Sequence, residues 1–286
     1  MMRRRPAVAG YFYEGRRDAL LEQIKGCFLS PHGPEELPDP EGPETSSIPP
    51  PALVSPHAGY MYSGPVAAHG YLELSRRRRP RTVVVVGPNH YGIGTEVSIY
   101  PGGHWITPLG EVEIDRELAS HLAELSQVFS LDELSHSREH SIEVQVPFLQ
   151  FVYRRGFKFL PVCMLDQSRE VAEEVGRALA EAITDPEDFV VIASSDFTHY
   201  EPHDEAVRRD MPVIERILAL DVAGFYREME RMDATLCGYG AIAAVMEYAR
   251  RKGYVVSKLL KYATSGDTSG DRSSVVGYAS IAFYKM

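Results

Sequence analysis

Three histidines lie directly after short apolar runs, where the loops at one edge of a sheet are expected. The runs are 52–54, 82–86 and 189–193, and the histidines that follow them are His57, His90 and His199. In an open α/β sheet, ligands bind in the crevice outside the carboxyl ends of the strands. We therefore expect these three loops to share one site.

Two of these histidines and one cysteine have the chemistry of metal ligands. Neutral imidazole is the commonest protein metal ligand, and a thiolate is a strong partner for zinc, copper(I) or iron. Cys237 precedes a predicted helix, whose N-terminus is expected to lower the pKa of the thiol. Cys27 and Cys163 lie in apolar surroundings and are predicted to be core residues. We therefore predict one metal ion bound by His57, His90 and Cys237.

Asp196 and His199 lie three residues apart in the third loop. A carboxylate and an imidazole at this spacing could complete the coordination of a metal, or they could transfer protons. Two imidazoles and one thiolate leave an open coordination position, so we predict proton transfer by this catalytic pair. In the structural alternative, Asp196 caps a turn and the ring of His199 is bonded to backbone.

Four further polar residues are predicted to line the same cleft: His140, Glu143, Asn89 and Ser195. An exposed helix start explains His140 and Glu143 nearly as well. The segment 265–274 is rich in serine and glycine, and it could bind an anion or a substrate or form a plain turn. It matches neither of the glycine-rich nucleotide motifs, so no nucleotide site is predicted.

The order of the elements predicts an α/β fold. Buried strands are predicted at 52–54, 82–86, 157–162, 189–193, 257–263 and 275–284, and amphipathic helices at 17–27, 65–74, 115–125, 168–182, 205–218 and 241–251. This alternation predicts a mixed or mostly parallel central sheet with helices on both faces. No internal repeat or linker divides the chain, so we expect a single domain over residues 1–286.

The composition is globular, with an excess of acidic residues. Hydrophobic residues make up 44% and charged residues 24%, and 30 basic against 40 acidic side chains give a net charge of −10. This balance repels polyphosphates, so no nucleic acid partner is expected. No signal peptide is indicated, and no apolar run approaches the roughly 20 residues that span a bilayer. We therefore expect a cytoplasmic protein without a membrane partner.

Six motifs in a fixed order resemble the Memo family. They are Pro6–Tyr13, Pro56–Tyr60, Gly87–His90, Glu139–Glu143, Ser194–Tyr200 and Cys237–Gly238. The resemblance extends from Pro6 to Tyr278, and six ordered motifs are far more specific than any one of them. On this basis the chain is identified as a member of that family.

The resemblance implies a fold similar to class III extradiol ring-cleaving dioxygenases, which hold non-haem iron(II) with two histidines and a carboxylate. In Memo proteins the corresponding ligands are two histidines and a cysteine, which here are His57, His90 and Cys237. His199 falls where the dioxygenases place an acid/base histidine, and Asp196 matches the neighbouring polar position. A soft thiolate alters redox potential and metal preference, so ring cleavage does not carry over from the fold.

Several functions follow from the residues and the resemblance together. The first is a metal-dependent redox protein or oxidoreductase that acts on an unknown small substrate or O2, with iron or copper favoured and zinc as an alternative metal. The second is a non-catalytic module whose cleft binds a peptide or a partner protein. Zinc-dependent hydrolysis is a third. The resemblance also implies association with a radical SAM protein and an AMMECR1-like protein.

Overall fold

The computed structural model describes residues 2–285, which form a mixed β-sheet with helices on both faces. The strands are β1 (Arg3–Arg4), β2 (Ala52–Ser55), β3 (Thr82–Pro88), β4 (Val97–Ile99), β5 (His104–Thr107), β6 (Gly110–Glu113), β7 (Ser130–Leu131), β8 (Lys158–Met164), β9 (Phe189–Ser194), β10 (His199–Glu201), β11 (Val256–Thr264) and β12 (Val275–Tyr284). The α-helices are α1 (Arg17–Leu29), α2 (Gly42–Thr45), α3 (Tyr60–Ser75), α4 (Arg116–Leu125), α5 (Gln145–Tyr153), α6 (Arg169–Ala182), α7 (His203–Leu218), α8 (Val222–Met232), α9 (Tyr239–Arg251) and α10 (Ser265–Ser269). Within residues 2–285, no helix is long and apolar enough to cross a membrane.

The main sheet has nine strands in the order β10-β12-β2-β9-β3-β8-β4-β7, with β11 paired to β12. The central strands β2, β9, β3 and β8 are parallel, whereas β12 and β4 flank them in the antiparallel direction. A small second sheet joins β1, β5 and β6. The predicted fold class, a mixed α/β sheet, is therefore confirmed.

Strand β3 shows why the centre of the sheet has an uninterrupted apolar sequence. Val84 and Val86 belong to the core on one face, whereas Val83 and Val85 belong to the core on the other face. All four valines are fully buried. A strand covered by helices on both sides has no solvent-facing positions, so its sequence does not alternate with polar residues.

The predicted elements are present, with some shifted ends and some omissions. Helix α3 begins at Tyr60, so Pro65 lies inside it, and α7 begins at His203. Helices α5 and α8 and the short strands β4 to β7 were not predicted. The sequence of α5 is apolar on nearly every side because the helix is almost wholly buried, and this removes the amphipathic pattern that marks a surface helix.

The strand order explains why distant loops meet. Strand β9 lies between β2 and β3, and the three strands are parallel. His57 follows β2, His90 follows β3, and Asp196 follows β9. Their carboxyl ends therefore place three loops side by side at one edge of the sheet, as predicted.

Candidate metal centre

Three imidazoles meet at this edge. His57, His90 and His140 each offer one ligand atom, and these atoms all lie within 4.8 Å of one another. The ring centroids of His57 and His90 are 5.2 Å apart, and the ring of His140 stacks on that of His90 at 4.5 Å. A group with this spacing could bind a metal ion.

The outer hydrogen bonds of His57 leave its Nε2 atom unprotonated. Ser194 Oγ donates its only hydrogen to the Ser141 carbonyl at 2.6 Å and accepts from Gln145 Nε2 at 2.7 Å. In its contact with His57 Nδ1, at 3.0 Å, Ser194 Oγ must therefore accept, and the hydrogen belongs to Nδ1 of the imidazole. Burial first, and then the charges of the neighbouring histidines, hold the pKa of His57 well below its usual value. His57 is therefore neutral, with an unprotonated Nε2 that faces Cys237 Sγ at 3.1 Å and can act as a metal ligand.

Glu139 holds the hydrogen of the His90 ring on Nδ1, as Ser194 does for His57. Its carboxylate accepts from His90 Nδ1 at 2.9 Å and from the His90 backbone N–H at 2.7 Å, and it also accepts from the backbone N–H groups of His140 and Ser141. Burial alone would raise the pKa of Glu139, but these hydrogen bonds and the nearby imidazoles outweigh it and lower the pKa to about 2. A carboxylate behind a ligating histidine fixes the ring and increases its basicity.

The substitution Glu139→Gln should weaken metal binding by roughly 10- to 100-fold, the range typical of a lost outer-shell partner. Glutamine keeps the size of the side chain but carries no charge to orient His90. Competition with a chromophoric chelator would measure the affinity, with Glu117→Gln, an exposed change on α4, as the control. Equal affinity of both variants would show that Glu139 has no influence on the metal.

Cys237 lies against His57. Its Sγ atom is 3.1 Å from His57 Nε2 and accepts a hydrogen bond from the Asp196 backbone N–H at 3.3 Å. Gly238 permits this approach, because a Cβ atom there would lie 2.4 Å from the Ser194 carbonyl oxygen. The expected lowering of the thiol pKa is wrong for the metal-free site, since burial first and Asp196 second raise it. The start of α9 does not compensate for the loss of water around the sulfur.

His140 was predicted to line the cleft, and it does so as a member of the three-histidine group. Burial lowers its pKa to about 4, so it too is neutral at pH 7. No sequence pattern indicated a ligand here, because His140 does not follow a predicted strand. It precedes α5, and the carboxylate of Glu139 turns the loop back towards His90.

The proposed proton-transfer pair is arranged differently from the expectation. Asp196 Oδ1 accepts from the His57 backbone N–H at 2.7 Å, and burial raises the pKa of Asp196 to about 6. His199 Nδ1 lies 2.8 Å from the Thr235 carbonyl oxygen, so Thr235 rather than Asp196 orients this ring. The carbonyl can only accept, which places the hydrogen on Nδ1 and leaves Nε2 of His199 free to accept a proton.

The other predicted cleft residues have structural roles. Glu143 does not line the cleft, because its carboxylate is buried in a network with Arg4 and Tyr13. Asn89 also lies outside the lining, since its side-chain oxygen accepts from the backbone of the tight turn that follows it. Ser195 is buried behind Cys237 and accepts from the Gly238 backbone N–H at 2.9 Å.

One cleft of about 690 Å³ brings the remaining residues together. Its inner part is lined by His57, His90, His140, Asp196, His199 and Cys237. The segment 265–274 forms part of the outer wall through Ser265, Ser269, Asp271 and Ser274, and it contains the short helix α10. The volume suits a small molecule, since ligand pockets typically measure 300–1,000 Å³.

A family model described as Memo-like protein matches residues 4–282. The chain belongs to the Memo family. A MEMO1 family protein of Methanopyrus kandleri is 50% identical over 284 residues, covering 99% of each chain. Similar proteins of Sulfurisphaera tokodaii and Thermotoga petrophila are 47% and 45% identical, over 289 and 284 residues, and cover at least 99% of each chain. Membership of this family, predicted from the six motifs, is confirmed.

A solved structure supports the fold of this Memo family member. An uncharacterized protein from Escherichia coli K12 aligns with a TM-score of 0.54 at 17% identity, covering 82% of this chain and 99% of that one. At this identity the likeness concerns the fold alone. The chemistry of the cleft has to be argued from its own residues.

Proposed function

We propose that this protein is a metal-dependent redox protein whose iron or copper ion is bound by His57, His90 and Cys237. The observation that carries the proposal is the contact of 3.1 Å between His57 Nε2 and Cys237 Sγ, with the ring centroid of His90 5.2 Å from that of His57. A metal ion replaces the thiol proton and removes the burial cost that raises its pKa. Soft sulfur together with imidazole favours copper(I) or iron over magnesium or calcium.

The donors fit a metal ion on physical grounds. Two ligand histidines have their outer nitrogens committed, to Ser194 and to Glu139. This outer shell is the usual one for ligating imidazoles. The ligand atom of His140 lies within 4.8 Å of those of both histidines, so His140 is the natural fourth donor.

His199 supplies the acid/base group of the proposal. The bound ion would supply one-electron chemistry towards O2 or a small substrate, and the chain supplies the proton. His199 lines the same cleft, is held by Thr235 through Nδ1, and presents Nε2 as a proton acceptor. An imidazole in this state can transfer protons near neutral pH.

The substitution His199→Gln tests the proposal. Glutamine can still donate to the Thr235 carbonyl but cannot take up a proton, so the variant should keep its metal and lose turnover by roughly 10²- to 10⁴-fold. The protein is loaded with iron(II) or copper(I) without oxygen, and oxygen uptake with ascorbate as reductant is then followed. His121→Gln, an exposed change on α4, is the control. Unchanged oxygen uptake in His199→Gln would contradict a catalytic role and favour the binding module.

Protection of the thiol tests the third ligand. Burial raises the pKa of all three thiols, so access decides their order of reaction. Cys237 is partly accessible, whereas Cys27 and Cys163 are buried, so Cys237 should be alkylated first in the metal-free protein. One equivalent of metal should slow its labelling, since coordination to the metal lowers the nucleophilicity of the sulfur. Mass spectrometry after brief iodoacetamide treatment reports the site. Labelling of Cys237 at the same rate with bound metal would assign the third position to His140 instead.

Zinc-dependent hydrolysis is the second candidate, because His57, His90 and His140 together form a three-histidine set that lines the open cleft. Such sets are found in catalytic zinc sites. This candidate predicts that Cys237→Ser retains zinc and that redox-inactive zinc supports the activity. The redox proposal predicts that the same variant loses iron or copper.

A further inference from the structure

The outer part of the cleft is aromatic. Phe12, Tyr62, Tyr200 and Tyr278 all contribute to its lining. Burial first, and then the charges of Asp196, Tyr62 and Tyr200, raise the pKa of Tyr278. We call these four lining rings the aromatic wall; Tyr62 and Tyr200 are exposed to solvent, whereas Tyr278 is buried.

Tyr200 belongs to this wall although its exposure and its backbone conformation are both unfavourable for stability. Its side chain is 78% exposed, and its backbone has a φ of 62°, in the left-handed region that non-glycine residues seldom adopt. An exposed aromatic ring on a strained backbone contributes little to folding, and such strain clusters at ligand sites. The position of Tyr200 beside His199 is therefore better explained by ligand contact than by stability.

The charges in the cleft have one sign. Among the described residues that line it, the carboxylates of Asp196 and Asp271 are present and no lysine or arginine occurs. Ser273 donates twice to Asp271, both times to Oδ1, which leaves Oδ2 available. The neighbouring Arg272 is bound to Asp267 at 2.7 Å. An anionic ligand would meet repulsion here, and the net charge of −10 adds to it.

We infer that the outer cleft binds the cationic amine group of a ligand, seated among Tyr62, Tyr200 and Tyr278 beside Asp271. The inference deepens the proposed function, since it names the chemical class of a small substrate whose remainder extends towards the metal centre. Aromatic faces attract ammonium groups through their quadrupoles, and tyrosine cages are a known use of this attraction. Asp271 adds an opposite charge at the open end.

A pair of probes of equal shape isolates the charge. Choline and 3,3-dimethylbutan-1-ol differ only in nitrogen against carbon, and the quaternary nitrogen of choline cannot coordinate a metal. Binding to the metal-loaded protein is measured by ligand-observed NMR titration. Choline should bind about tenfold more tightly than its neutral isostere, as expected for one to two cation–π contacts with a nearby carboxylate.

Three variants test whether the preference for choline over its neutral isostere arises from the aromatic wall and Asp271. Tyr200→Ala should remove most of the difference between the two probes, and Tyr200→Phe should keep it because the ring remains. Asp271→Asn should reduce the preference several-fold and make it less sensitive to salt. Tyr11→Ala, an exposed tyrosine outside the lining, is the control and should change nothing.

The outcomes separate this inference from the metal proposal. Equal affinity for the two probes in a protein that binds metal would overturn the inference and leave the metal centre intact. A preference for choline that survives both Tyr200→Ala and Asp271→Asn would also overturn it, because the cation would then bind elsewhere. A preference that disappears in these variants, in a protein that fails to bind metal, would support the amine site and contradict the redox proposal alone.

Discussion

Replacing His57 with alanine should abolish stoichiometric metal binding while the protein stays folded. The residue lies at the centre of the site, 3.1 Å from Cys237 Sγ and 5.2 Å in ring distance from His90. Loss of a direct bond to the metal should exceed the roughly 10- to 100-fold effect of an outer partner such as Glu139. His90→Ala should have the same result. Elemental analysis of protein purified without oxygen or chelator measures the loss.

A matched control separates ligand loss from a packing defect. His69 is a half-buried histidine of α3 whose Nε2 lies 3.1 Å from the His32 carbonyl oxygen, away from the metal centre. His69→Ala should bind a full equivalent of metal with a similar cost in thermal stability. Full binding by His57→Ala would contradict the assignment of the centre.

Replacing Glu143 with alanine should lower the free energy of unfolding by about 3–5 kcal/mol, the cost of breaking a buried ion pair from one side. Its carboxylate accepts from Arg4 at 2.7 Å, from the backbone N–H groups of Ala7 and Val8 at 2.8 and 3.0 Å, and from Tyr13 Oη at 2.7 Å. Without it, the guanidinium of Arg4 would be buried with no opposite charge and would keep only its bonds to the carbonyl oxygens of His136 and Glu139. Urea denaturation measures the change.

The neighbouring arginine provides the control for this effect. Arg3 pairs with Glu111 at the surface, where both side chains are partly exposed. Exposed pairs contribute about 0–1 kcal/mol, so Glu111→Ala should be close to the parent protein. The double change Glu143→Leu with Arg4→Met should recover part of the loss, because it removes the unpaired charge. Similar losses in the two single variants would show that burial does not govern the Arg4 pair.

The sequence predicts the framework of the site because that framework follows from local patterns. A strand such as β3 is visible as a run of valines, and a histidine after it must lie at the carboxyl edge of the sheet. The placement of His57 and His90 at this edge could therefore be predicted from the strands that precede them. The pairing of β9 with both β2 and β3 then brings the loops that follow these three strands together.

What the sequence could not predict depends on contacts between distant segments. Thr235 was not predicted to orient His199, because it does so through its backbone carbonyl. Every residue has such a group, so the sequence does not indicate which one binds the ring. Glu143 was predicted to line the cleft, but its carboxylate pairs with Arg4, which lies 139 positions away in the sequence. The rise in the pKa of Cys237 follows from burial, which no local motif reveals.

The pairing of β12 has a consequence for biosynthesis. This strand, residues 275–284, supplies the antiparallel neighbour of β2, residues 52–55, and also pairs with β10 and β11. During translation, β2 therefore emerges long before the strand that covers its edge, and its backbone groups stay open to unwanted pairing. We expect such late closure to slow folding, because pairings between distant segments form slowly. Because His57 follows β2 directly, we expect the nascent chain to acquire metal only after synthesis has passed residue 284.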